Sequence, residues 1–246
     1  MKIETLNNAP ITEAVFDIRT LTDRPISIDK LNEIHSKVKD ELPIKEEISV
    51  LEAYFGVGPE GLKTSYEQQK PGFMFKSSDR KNIFQAKVGG FTFNRLSPYV
   101  NWKSFSGDAD NYWKIYSDIV KPTKVTRLAL RYINKIELPY STRNLDQYFN
   151  IGPDFSGKSS HKIQGFILRM NIVQPKNSFE AIVTMIKETD IEKKRKLVII
   201  LDIDTFQLAD LSPNNPKVKT AFNHLRKYKN ELFFNNITAK TKALFS

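Results

Sequence analysis

Apolar and polar residues alternate along much of the chain, and this alternation predicts strands. Residues 11–20 put Ala14, Phe16 and Ile18 on one face and Glu13, Val15, Asp17 and Arg19 on the other. Between 48 and 99 the pattern predicts an antiparallel meander over 50–57, 62–69, 73–78, 82–88 and 91–96. Gly58-Pro59, Pro71-Gly72, Asp79-Arg80 and Gly89-Gly90 supply its turns. The second half adds predicted strands at 124–138, 162–173, 178–188 and 197–208. In the first of these, Arg127, Ala129, Arg131, Ile133 and Lys135 share a face. Leu128, Leu130, Tyr132, Asn134 and Ile136 share the other. Asn134 on that apolar face requires a hydrogen-bond partner.

Helical spacing interrupts the strands at a few places. Leu31, Ile34, His35, Val38 and Leu42 form a stripe over 28–41, with Ser27 as N-cap and Pro43 as stop. Tyr112, Trp113, Ile115, Tyr116 and Ile119 form an aromatic stripe over 108–120, closed by Lys121-Pro122. Residues 144–150 predict a short helix or turn. A closing helix at 217–234 turns Val218, Ala221, Phe222, Leu225, Leu232 and Phe233 inward, and a last turn follows at 238–245. Each half then runs strand, helix, meander, helix. Contiguous meanders predict an α+β fold, mainly antiparallel, with packed helices on a curved sheet. The two halves, 1–122 and 123–246, are expected to be tightly coupled and related as a duplication.

Composition narrows the chemistry. The chain has 246 residues and no cysteine, which removes disulfides, thiolate metal sites and cysteine nucleophiles. His35, His161 and His224 stand apart, without ligand spacing or a neighbouring carboxylate pair. No Walker A, Gly-x-Gly-x-x-Gly or Gly-x-Ser-x-Gly sequence occurs. The expectation is a protein without a cofactor and without a catalytic centre. The first residues lack the apolar stretch of a signal peptide. The longest strongly apolar run, 197–201, is far short of the ~20 residues that span a bilayer. A cytoplasmic protein with no membrane partner is expected.

Three features carry candidate chemistry. Asp202 and Asp204 point to one face of a strand, about 6.5–7 Å apart along it, a spacing that suits a divalent metal if more oxygen ligands converge. A phosphodiester enzyme built on this pair is one alternative. Phe91 and Phe93 share a strand face before Asn94-Arg95 and serve either as core or as a base-stacking platform. The formal charge of +10 is densest at 193–196 and in the last third of the chain. There Lys217, Lys219, Arg226, Lys227 and Lys229 make nucleic acid an alternative partner.

Several ordered segments resemble a sporadically distributed family of uncharacterised bacterial proteins of about 250 residues. They are Asn8-Ala9-Pro10-Ile11-Thr12-Glu13-Ala14, the 91–99 run Phe-Thr-Phe-Asn-Arg-Leu-Ser-Pro-Tyr with Trp102, and Arg131-Tyr132-Ile133-Asn134-Lys135-Ile136. Leu201-Asp202-Ile203-Asp204 and the segment from Leu225 to Thr238 complete the set. The resemblance implies one conserved architecture and supplies no reaction. The patchy distribution of that family implies a mobile or defence-associated context. Its landmarks fall on Glu13, Asn94, Arg95, Tyr99, Trp102, Arg131, Asn134 and Asp202, which either line a shared site or lock the fold. The leading expectation is a non-enzymatic binding or accessory protein with a protein partner.

Overall fold

The computed structural model describes residues 6–58, 61–142, 144–153, 163–175, 178–187 and 196–245, and for 50–71 its backbone alone. Alternation becomes strand wherever one face can be buried. The strands are β1 (Ile11–Leu21), β2 (Ile44–Gly58), β3 (Gly61–Lys76), β4 (Asn82–Lys87), β5 (Gly90–Leu96), β6 (Lys124–Pro139), β7 (Phe166–Gln174), β8 (Phe179–Lys187) and β9 (Lys196–Leu211). They form one sheet in the order β2-β3-β4-β5-β1-β6-β9-β8-β7. Every neighbouring pair is antiparallel. The fold is therefore α+β and antiparallel.

β1 and β6 pair in the middle, Phe16 opposite Leu130. On its other side each is paired by the last strand of its own meander, β1 by β5 and β6 by β9. A single sheet thus runs through 1–122 and 123–246. The first meander has four strands and the second three. Where the first half carries α1 (Ile28–Asn32) and α2 (His35–Val38), the second carries a 3-10 turn at Leu145–Gln147.

The helices cover one face of the sheet. α3 (Trp102–Val120) and α4 (Lys217–Asn236) are the long ones, and a short α5 (Ala239–Lys242) follows. Ala14, Phe16, Ile18, Phe91, Phe93, Leu128, Leu130 and Tyr132 all point under them and are at most 2% exposed. The Phe16 ring stacks on Phe222 of α4 with centroids 3.6 Å apart. Phe93 packs against Phe105 and Tyr112 of α3. Phe91 and Phe93 are core rather than a stacking platform. A smaller apolar cluster joins Ile136, Leu138, Ile199, Leu201 and Phe233 to Tyr148 and Phe149.

Three elements depart from the periodicity. The 28–41 helix breaks into α1 and α2, because Ile34 and Ser36 N–H groups bond three residues back, to Leu31 and Glu33. Such bonds tighten the turn and end an α-helix, while Leu31, Ile34, Val38 and Leu42 stay buried. α3 starts at Trp102, six residues before Asp108. Asn101 Oδ1 accepts the Ser104 N–H at 2.9 Å and caps it. Pro71-Gly72 makes no turn, since β3 continues through it and Gly72 lies opposite both Ile48 and Lys87. A Cβ at Gly72 would run into the Ala86 carbonyl, so glycine is required by the closeness of β4. The dense basic run at 193–195 and His161 lie outside the described residues. Among the described residues no helix is long and apolar enough to cross a membrane.

Candidate functional site

The landmark residues divide among three places. Glu13, Asn94, Arg131 and Asp202 lie on the sheet face that carries no helix. There they satisfy one another in a ladder across the strands. Gln85 Nε2 donates to Asn94 Oδ1 at 3.1 Å, and Asn94 Nδ2 donates to Glu13 Oε1 at 2.6 Å. Arg131 grips Asp202 with two bonds, Nε to Oδ1 at 2.8 Å and Nη2 to Oδ2 at 2.6 Å. This forked geometry is the strong form of the Arg–carboxylate pair.

A second rung lies beside the first. Arg127 reaches Asp17 at 3.2 Å and Asp204 at 3.3 Å, and its guanidinium sits 4.4 Å from the Phe206 ring centroid. Burial raises the Asp204 carboxyl above its usual range, against the pull of Arg127. Asp202 and Asp204 do share a face, yet each carboxylate is engaged by its own arginine. Among the described residues no group of three or more His, Asp or Glu is placed to hold a metal.

Arg95 lies on the opposite, helix-covered face. It donates to Asn82 Oδ1 at 2.9 Å and Ser104 Oγ at 3.0 Å, and it pairs with Asp108 of α3. Its guanidinium rests near the Phe93 and Phe105 rings. The contacts tie α3 to β5.

Tyr99, Trp102 and Asn134 meet in a cleft of about 340 Å³. The chain leading into β1 (6–11) forms one wall, the 99–102 segment another, and α4 the third through Arg226, Lys229, Asn230 and Phe233. Tyr132 and Asn134 of β6 form its floor. Asn134 Nδ2 donates to the Leu201 carbonyl at 2.9 Å and more weakly to that of Tyr132 at 3.3 Å. That is the partner the apolar face demanded. The Tyr99 and Tyr132 hydroxyls hydrogen-bond at 2.9 Å. Burial raises both phenols above their usual range, Tyr132 strongly, so both keep their protons.

Two cations reach the cleft from α4. The Arg226 guanidinium lies 5.3 Å from the Trp102 ring centroid. Lys229 Nζ lies 3.9 Å over the Tyr132 ring, and the residue is only 8% exposed. No carboxylate pairs with it among the described residues. Burial, helped by the Arg226 charge, pulls the Lys229 ammonium down to about 7.

Lys229, one of the five cations that make nucleic acid an alternative partner, is buried. Its spacing from Leu225 and Phe233, four residues either way, already puts it on the apolar stripe of α4. At about 100° per residue, Lys219, Arg226 and Lys229 lie within ~80° of one another, while Lys217 is about 180° round from Arg226. Lys217 and Lys227 are exposed, and Lys219 sits 3.5 Å from Asp110 of α3. The five cations do not form one stripe. No protein-family model matches the sequence, and in a comparison with curated proteins nothing matches it.

Proposed function

We propose that the protein is a non-enzymatic binding protein whose ligand is a small anion held in the cleft between α4 and the 99–102 segment. The observation that carries the reading is Lys229. A cation so buried is costly unless something compensates it, and the Tyr132 ring supplies only part of that compensation. An anion entering the cleft supplies the rest. The Arg226 guanidinium, whose planar fork suits carboxylates and phosphates, stands at the same wall. Trp102, Tyr99 and Phe233 provide the apolar and aromatic surface that small-molecule sites use. Tyr99, Trp102 and Asn134 also stand among the landmarks of the uncharacterised bacterial proteins the chain resembles, and we propose membership of that family with this cleft as its site.

The test is calorimetric titration of the purified chain with small carboxylates and phosphates. One class should bind, and Lys229→Met and Arg226→Gln should each weaken it about tenfold or more, the loss expected for a charge-assisted hydrogen bond. Lys227→Gln, on the exposed side of the same helix, should leave it unchanged. Absence of binding by every class, or equal losses in all three variants, would remove the reading.

A further inference from the structure

Arg226 and Lys229 are not equivalent cations. Arg226 touches the cleft with a planar guanidinium beside the Trp102 ring. Lys229 presents an amine beside that cation. Among the described residues, the titratable groups that line the cleft with it are Tyr132 from β6, Tyr99 from the 99–102 segment and Arg226 from its own helix. The 6–11 segment, Leu-Asn-Asn-Ala-Pro-Ile, brings no titratable side chain. An amine with no carboxylate partner among the described residues, walled by apolar rings and next to another cation, meets the conditions under which a lysine becomes a nucleophile.

The remaining lining completes the requirements of one reaction. Asn101 lines the cleft, and its Oδ1 is committed to the α3 cap. The hydroxyl pair of Tyr99 and Tyr132 supplies protonated oxygens at the floor. We propose that the ligand is an oxo acid with an apolar or aromatic tail, and that Lys229 Nζ condenses with its carbonyl carbon to form an imine. The proposal rests on the anion-binding reading of the same cleft.

The step balances without an oxidant or reductant. The Nζ lone pair attacks the carbonyl carbon, and the carbonyl π pair moves to oxygen, which takes a proton. The nitrogen of the resulting carbinolamine loses a proton, the hydroxyl takes up a second one, and the nitrogen lone pair expels it as water. The iminium that remains gives up its last N–H proton, so the net products are the C=N bond and one water. We assign the loan and recovery of the proton to the hydroxyl pair of Tyr99 and Tyr132, which lies in the same cleft. Arg226 faces the carboxylate, and Trp102 and Phe233 face the tail. An unprotonated fraction of Lys229 at neutral pH follows from its burial.

Phenylpyruvate tests it, with phenyllactate as the carbonyl-free analogue. The chain is incubated with phenylpyruvate and sodium cyanoborohydride, which reduces any imine to a stable secondary amine, then digested for peptide mass spectrometry. Labelling of Lys229 is expected about tenfold faster than labelling of exposed Lys227, with a rate that climbs as the pH rises through about 7. Arg226→Gln should slow it at limiting ligand. Lys229→Arg should keep binding of phenyllactate, measured by calorimetry, and leave only the slow labelling of exposed lysines such as Lys227. Phenyllactate binding with label spread evenly over surface lysines would overturn the imine and leave the anion site standing. Failure of both ligands to bind would overturn the imine, and the anion site would fall with it only if the other small carboxylates and phosphates also failed to bind.

Discussion

At the scale of the residue, the cleft turns on one proton. Lys229 holds it less tightly in the folded chain than in the unfolded one, where an ordinary lysine titrates near ~10.4. Between about 7 and that value the unfolded chain binds the extra proton and the folded chain does not. Stability must therefore rise with pH across this window, by at most ~1.4 kcal/mol per pH unit. Below the window both states are protonated and the cost of the buried ammonium is constant. Urea unfolding of the wild type and of Lys229→Met, run from pH 6 to 10, should show the variant more stable at the acid end and the gap closing toward the alkaline end. A gap independent of pH would mean that Lys229 is ordinary. Occupation of the cleft by an anion should reverse the sign at the acid end, because the ammonium then gains a partner. Asn134 is the contrasting residue. Its place on an apolar face announced a hydrogen-bonded partner, and the Leu201 carbonyl on β9 is that partner.

At the scale of the element, Gly72 shows how a single hydrogen in place of a side chain sets a boundary. Gly72→Val puts a branched Cβ against the Ala86 carbonyl and forces β3 away from β4. The variant should lose at least about 2 kcal/mol of stability in chemical denaturation. Gly107→Ala in α3 meets nothing within 4 Å and should be neutral or slightly stabilising. Pro-Gly ordinarily signals a turn, and only the neighbouring strand shows why it does not do so here. Ser104, Ser106 and Gly107 likewise hid the first turns of α3, because the capping bond from Asn101 and the packing of Phe105 outweigh their poor propensity. Strands were the legible part. Alternation in β1, β5, β6 and β9 reports directly which face is buried, since a period of two admits no other assignment. The cleft was half legible. Tyr99, Trp102 and Asn134 stand out as polar or aromatic landmarks. Lys229 hides among other lysines, and its separation from them depends on which side of α4 meets the sheet. Charge alone offers Arg131 either Glu13 or Asp202 as a partner, and the strand order decides for Asp202 and puts the pair on the open face, away from the cleft.

At the scale of the whole molecule, the sheet is continuous and its centre is the pairing of β1 with β6. Neither 1–122 nor 123–246 can bury its innermost strand edge without the other. Urea unfolding followed by tryptophan fluorescence and by far-ultraviolet circular dichroism should give one coincident transition. Trp102 and Trp113, both in α3, report the first half in that comparison, and the helices and strands of the second half contribute to the dichroism. Two separated transitions would show halves that fold independently. The cleft straddles the same seam. Its 6–11 and 99–102 walls come from the first half, its floor and α4 wall from the second. Whatever fills it touches both, so an occupant acts as a molecular rivet across a hydrogen-bonded join. Slowed amide exchange should then spread outward along β1 and β6 alike, and the reach of that protection would measure how firmly one small molecule holds two lengths of chain together.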